Sequence, residues 1–265
     1  MIISMLKNLN MGNESNSHKN QNKNCPMKYP PEINEEDDIY SEFIKQLNLD
    51  TTKLEHNIKQ CPKNSELIVL IESGALAPPH KMHIGIMEQV KKYFESKDKN
   101  KKVVGGFIIP SSDNYVKHKL KKDFIPLKHR INMTQILIKN SEWLDCLDWN
   151  MAYGEEIKIC IDKILKNQLP KYNIKSYLVF GIDFYIRFKM ELKSEQVCIY
   201  RPGFDLDLAK QMYTKDLIFV EGNNDDISST KIRKAIRDKD EKTINELMCE
   251  EMVTYIKNNQ IFEQN

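Results

Sequence analysis

Leu67 to His83 reads LIVLIESGALAPPHKMH, and the way this stretch folds decides the rest. Its opening run, Leu67-Ile68-Val69-Leu70-Ile71, is continuously apolar, as expected of a parallel strand buried on both faces. A turn with Gly74, Pro78 and Pro79 follows, and from Ile84 through Met87, Val90 and Phe94 the apolar spacing becomes helical. The strand therefore delivers Gly74, His80 and His83 to its carboxyl end. In an open α/β sheet ligands bind at that edge, where the next helix offers unpaired N–H groups and positive dipole charge. Phosphate is the expected guest. On the pattern alone, His80 and His83 read equally well as turn residues, and no second pair of ligands at metal spacing supports zinc.

Downstream, strands and helices alternate. Strands are expected at Leu67–Glu72, Val103–Pro110, Trp143–Leu147, Tyr177–Phe180, Val197–Tyr200 and Leu217–Val220, and helices at His83–Ser96, Pro126–Asn140, Gly154–Leu169 and Asp183–Glu191. A last helix is expected over Glu246–Asn259. Such alternation implies an α/β fold, a doubly wound, mainly parallel, Rossmann-like sheet with right-handed crossovers. Upstream the texture changes. MLKNLNMGNESNSHKNQNKN is rich in Asn, Lys and Ser and cannot bury enough apolar surface to offset its ordering entropy. Residues 1–60 are thus expected to be a mostly disordered extension and 61–265 a single domain, with Asp37–Leu49 helically spaced at Ile39, Phe43 and Leu47.

Composition narrows the class. The 265 residues are 40% hydrophobic and 29% charged, enough for one sizeable core. Lys+Arg 40 against Asp+Glu 38 leaves a net charge of +2, which argues against nucleic acid or a membrane as partner. Six cysteines, without a C-x-x-C pair, read as reduced thiols of an intracellular protein, nuclear or cytoplasmic. No signal sequence or transmembrane span is legible, and a homo-oligomer is allowed.

Further chemistry lies at the other expected strand ends. Pro110–Lys117 (PSSDNYVK) leads into the basic loop HKLKK and then Pro126-Leu127-Lys128-His129-Arg130, where Lys117 and Arg130 stand out from a solvated charge run. Trp143 reads as core, whereas Trp149 and Tyr153 stand where the strand leaves toward the ligand edge; either could stack on an aromatic ring. Gly181-Ile182-Asp183 reads both as a helix N-cap and as a sugar-binding turn. Ser228, Ser229 and Thr230 can cap a helix whose N–H groups face phosphate, with Lys231 and Arg233 adding charge.

With these residues in view, GALAPPHKMH resembles the G-x-x-x-P-x-(H/T)-x-x-H signature of the nucleotidyltransferase superfamily, and Ile227–Arg233 (ISSTKIR) resembles its downstream partner. Within it the chain resembles the nicotinamide/nicotinate-nucleotide adenylyltransferase family in its eukaryotic form over roughly residues 66 to 262, through P-x-x-D-x-Y-x-K, N-S-x-W and D-I-S-S-T-K-I-R. The resemblance implies a nucleotidyltransferase fold and an enzyme of NAD biosynthesis. ATP would give its adenylyl group to nicotinamide or nicotinate mononucleotide, forming NAD or its deamido form plus pyrophosphate. It implies His80, His83, Lys117 and Arg233 as catalytic residues. ATP would be held by Gly74, Ala75, His83, Gly181, Asp183, Ser229, Thr230, Lys231, Ile232 and Arg233. The mononucleotide would be held by Lys117, Trp149, Tyr153, Glu156, Arg201 and Asp225. Magnesium would arrive on ATP, with no dedicated metal ligands. The family's threonine is replaced by Glu156, and its asparagine by Asp225. Two alternatives share the phosphate motifs: a sister transferase such as phosphopantetheine adenylyltransferase, and a non-catalytic nucleotide- or RNA-binding module.

Overall fold

The computed structural model describes residues 44–151, 153–184, 195–207, 217–223 and 226–262. Residues 42–265 form one compact unit. The expected helix at Asp183–Glu191 is seen only at its start, with 182–184 helical and the rest outside the described residues; most of the Asp37–Leu49 segment and the Asn-rich tail also fall outside them, and a helical turn is present at 44–46.

The sequence order is α1 (Thr52–Gln60), β1 (Glu66–Gly74), α2 (Lys81–Lys97), β2 (Lys101–Pro110), α3 (Asp113–Leu120), α4 (Leu127–Ile138), β3 (Leu144–Cys146), α5 (Gly154–Gln168), β4 (Ile174–Gly181), β5 (Gln196–Tyr200), β6 (Leu217–Glu221), α6 (Ser229–Arg237), α7 (Glu241–Leu247) and α8 (Glu250–Asn258). The six strands pair in parallel in the order β3-β2-β1-β4-β5-β6. This is the doubly wound arrangement, and the strand order reverses between β1 and β4. All six strands expected from the sequence are present.

The continuous apolar run of β1 is explained by its central place. Ile68 and Leu70 pack with Met87, Val90 and Phe94 of α2 and with Tyr177 and Val179 of β4, and Trp143 joins the same cluster. The opposite face is covered by α5, whose Ile157, Cys160 and Ile161 are wholly buried. Two adjacent glycines of β2 show how tightly both faces are pressed. A Cβ on Gly105 would lie 2.6 Å from Leu54 of α1, and one on Gly106 would lie 2.7 Å from Trp143 and Leu144 and 3.0 Å from Met87. Because consecutive residues face opposite sides of a sheet, α1 and α2 sandwich β2.

Three helices depart from the sequence expectation. The helix α1 falls within the stretch 1–60 that composition assigns to the extension. It is ordered because Leu54 and Ile58 are buried, while Lys53 Nζ bonds Asp145 at 2.7 Å and Asn57 Nδ2 donates to the Val104 carbonyl at 3.0 Å. The expected basic loop HKLKK is helical: His118–Leu120 close α3, which Ser112 caps and whose Val116 is wholly buried, and a 3-10 turn, Lys121–Asp123, follows. The expected last helix is broken at Met248–Cys249 into α7 and α8. Met248, Met252 and Ile256 pack in a second cluster with Val116, Met133 and Ile232. The Tyr255 hydroxyl pins α8 to α4 through His129 Nδ1 at 3.0 Å and Asn132 Nδ2 at 2.8 Å.

Candidate functional site

Beyond β1 the chain passes through Gly74–Pro79, with a cis Ala77–Pro78 bond, into α2. His80 is the N-cap and His83 stands in the first turn. The His80 backbone N–H donates to His83 Nδ1 at 3.1 Å, and the two rings lie 3.9 Å apart between centroids. A neutral His83 that accepts at Nδ1 carries its proton on Nε2. Burial pushes both imidazoles down, His80 to about 2 with help from His83, and His83 to about 4. Both are therefore neutral donors and acceptors, not cations, around pH 7. His80 is 8% exposed and its Nδ1 has no hydrogen-bond partner among the described residues.

The downstream motif meets this loop directly. Ser228 caps α6, its hydroxyl accepting from the Lys231 N–H at 3.2 Å. The neighbouring Ser229 hydroxyl donates to the Pro78 carbonyl at 2.8 Å across 151 positions of sequence. Arg233 is buried. Its Nη1 donates to the Ala77 carbonyl at 2.8 Å, its Nε to Asp123 at 3.1 Å and its Nη2 to the Thr230 hydroxyl at 3.2 Å. Arg237 shares Asp123 at 2.9 Å. Three of the five guanidinium N–H groups are thus spent on the framework, which leaves two for an anion. Lys231 and Thr230 are exposed, with the Lys231 ammonium paired to Asp226, and Ile232 anchors α6 in the core.

A third arm steadies the same loop. Arg130 is completely buried and donates to the Ile125 carbonyl at 2.8 Å, the Ala75 carbonyl at 3.1 Å and Asp113 at 2.9 Å. Asp113 also accepts from the Leu127 N–H at 2.6 Å. Arg130 and Asp113 accordingly brace the loop from below. Gly74 and Ala75 belong to the loop itself; the Gly74 carbonyl accepts from the Ser111 N–H at 2.7 Å. Lys117 is exposed on α3.

The remaining expected residues are less tightly grouped. Gly181 ends β4, and a Cβ there would meet nothing of the described residues within 4 Å; Asp183 beyond it is exposed. Arg201 is exposed in the turn after β5, and Glu156 is half-buried in the first turn of α5, its carboxyl raised by burial. The two aromatics differ. Trp149 is 3% exposed and its indole N–H donates to the Asn48 carbonyl at 3.1 Å, so it fills the core. Tyr153 is 40% exposed at the N-cap of α5. Asp225 lies outside the described residues.

Sequence reasoning overlooked two acids. Asp123, the single carboxylate in the basic run K-L-K-K-D, anchors both arginines of α6. Glu72 is an acid inside an apolar strand. It is 7% exposed, its Oε2 has no partner among the described residues, and burial pushes its carboxyl up to about 8. Both were visible as charges out of keeping with their surroundings. Among the described residues no group of three or more His, Cys, Asp or Glu is placed to hold a metal ion, and no helix is long and apolar enough to cross a membrane. The arrangement can receive a polyphosphate: two helix N-termini, neutral imidazole donors and a part-free arginine converge on one loop.

Comparison with known proteins gives the same picture. The chain is 28% identical over 239 residues to the nicotinamide/nicotinic acid mononucleotide adenylyltransferase 1 of Bos taurus, covering 66% of this chain and 83% of that one. In fold it is similar to two structures of the Plasmodium falciparum nicotinic acid mononucleotide adenylyltransferase, one complexed with APC and one with NaAD. Both give a TM-score of 0.52, at 16% and 18% identity, over 75% and 76% of this chain and 98% and 99% of theirs. The cytidylyltransferase-like family matches residues 73–235, which include β1's end, both phosphate motifs and most of the sheet. The chain belongs to the cytidylyltransferase-like family.

Proposed function

We propose that this protein is an adenylyltransferase that joins ATP to nicotinamide or nicotinate mononucleotide, giving NAD or its deamido form and pyrophosphate. The observation that carries the reading is the contact of the two phosphate motifs, Ser229 on Pro78 and Arg233 on Ala77, at the carboxyl end of β1. The likeness to the bovine adenylyltransferase over most of that protein's length supports the choice of substrates.

In this reading the 5′-phosphate oxygen of the mononucleotide attacks the α-phosphorus of ATP in line. A P–O bond forms as the bond to the β-phosphate oxygen breaks, and pyrophosphate leaves with that electron pair. No covalent enzyme intermediate is needed, so rate comes from positioning and charge. His83 donates Nε2–H to the α-phosphate. His80, at the N-cap, lines the same turn, and the free N–H groups at the head of α6 take the β- and γ-oxygens. Lys231 and the two unspent N–H groups of Arg233 add charge there. Lys117, Arg201 and Tyr153 serve the mononucleotide, Tyr153 as the exposed aromatic plate and Lys117 on its phosphate. The site carboxylates Asp113, Asp123 and Asp226 are engaged by Arg130, Arg233, Arg237 and Lys231, so magnesium would be carried in on the triphosphate with its waters and would supply further charge neutralisation. The near-neutral total charge supports small-molecule partners over nucleic acid. Free thiols at the five described cysteines support an intracellular place, nuclear or cytoplasmic.

The test is pyrophosphate release with ATP, magnesium and each mononucleotide in turn. Release that requires the mononucleotide and falls at least about a hundredfold in His83→Ala supports the reading. Release with neither mononucleotide rejects it.

A further inference from the structure

Buried polar atoms in folded proteins nearly always have partners, so an unpartnered one points to a ligand. The carboxyl of Glu72 is such a group, and its position says what it faces. Ile68 and Leu70 of β1 share one core with Tyr177 and Val179 of β4 and with Met87 and Val90 of α2. Glu72 is level with Val179 in the parallel ladder. By the two-residue period of a strand, Glu72 lies on the α2 face, and so do Gly74 and Gly181, each two residues further along its own strand. Above Glu72 along the crevice where the strand order reverses, both strands therefore end in glycine. At Gly74 the Leu76 side chain lies 3.8 Å from where a Cβ would stand, whereas at Gly181 no atom of the described residues comes within 4 Å, so the open space is on the β4 side of the crevice.

We propose that Glu72 is a specificity-determining residue for the nucleotide sugar: its carboxyl, at the floor of the crevice between β1 and β4, hydrogen-bonds a ribose hydroxyl of ATP. The assignment to ATP rests on the proposed function above and on the family resemblance, which implies Gly181 among the residues that hold that nucleotide. The chemistry favours a hydroxyl over the other groups a nucleotide carries. A phosphate oxygen only accepts, and it would leave a carboxyl oxygen without a donor. A base edge both donates and accepts, but it brings a whole ring, more than the absence of a Cβ opens. A hydroxyl projects alone and both donates and accepts, so it satisfies the carboxyl in either protonation state. Burial keeps that carboxyl largely protonated at neutral pH, which gives it a proton to donate into the crevice.

The experiment compares the binding of ATP, 2′-deoxy-ATP and 3′-deoxy-ATP to the full chain by calorimetry, for the wild type, Glu72→Ala and Glu72→Gln. The wild type should bind ATP about tenfold more tightly than one of the two deoxy analogues. Glu72→Ala should bring that ratio close to one by weakening ATP and the analogue that keeps the contacted hydroxyl, while sparing the analogue that lacks it. Glu72→Gln, whose amide still donates and accepts, should keep most of the preference. A ratio unchanged in Glu72→Ala, a wild type indifferent to both hydroxyls, or equal weakening of all three ligands would overturn the proposal. A wild type that binds none of the three would overturn the ATP reading together with it.

Discussion

At the scale of single residues, burial is the main determinant of the site's chemistry. His80 and His83 sit at the head of a helix, where water would ordinarily keep them near 6.5, yet both are held well below it. In NMR titrations of the free protein, the ring protons of both should therefore stay at their neutral shifts from pH 8 to pH 5; a midpoint near 6.5 for either would contradict the geometry. Glu72 carries the opposite consequence for stability. Its carboxyl is raised from 4.5 to about 8, so the folded chain keeps a proton that the unfolded chain releases. Between those two values stability falls as pH rises, by up to about 1.4 kcal/mol per unit. Glu72→Gln removes the linkage. Urea unfolding should show the variant gaining on the wild type by a few kcal/mol more at pH 8 than at pH 5, and a gain independent of pH would count against a neutral buried carboxyl.

Among the elements, α6 behaves as a clasp. Its arginine holds the Ala77 carbonyl of the loop after β1 and Asp123 of the turn after α3, so three separate segments meet in one side chain. Arg233→Ala strands Asp123 with Arg237 alone and leaves the Ala77 carbonyl without its donor. It should cost about 3 kcal/mol in urea unfolding and lower pyrophosphate release as well. Arg233→Lys keeps the charge without the planar fork and should recover only part of either loss. The thin centre of β2 is a purely structural counterpart. Gly106→Ala would force Trp143, Leu144 and Met87 apart and should cost about 1–3 kcal/mol. Because that strain lies in the core under α2, the thermal midpoint should fall while substrate affinity in the folded fraction stays unchanged.

For the molecule as a whole, the sheet was legible because its strands are nearly unbroken apolar runs, and a central parallel strand such as β1 has no wet face to imitate. Helices with strong amphipathic spacing, such as α2 and α5, were legible for the same reason. Harder to read were segments whose order depends on distant partners: α1 folds onto β2 through Leu54 and Asn57, and α3 is fixed by the burial of Val116. The two phosphate motifs were plain in the sequence, but their mutual bonds were not, since Asp123 gives no sign of which arginine it will hold. Nor could spacing show that Trp149 is buried with its indole bonded to the Asn48 carbonyl while Tyr153 stays exposed. The central claim is that the joined motifs transfer an adenylyl group to a pyridine mononucleotide. Its most direct test is pyrophosphate release from ATP and magnesium with nicotinamide or nicotinate mononucleotide added, beside His83→Ala. Release should depend on the mononucleotide and be lost in the variant; a wild type that releases none with either acceptor would contradict the adenylyl-transfer assignment.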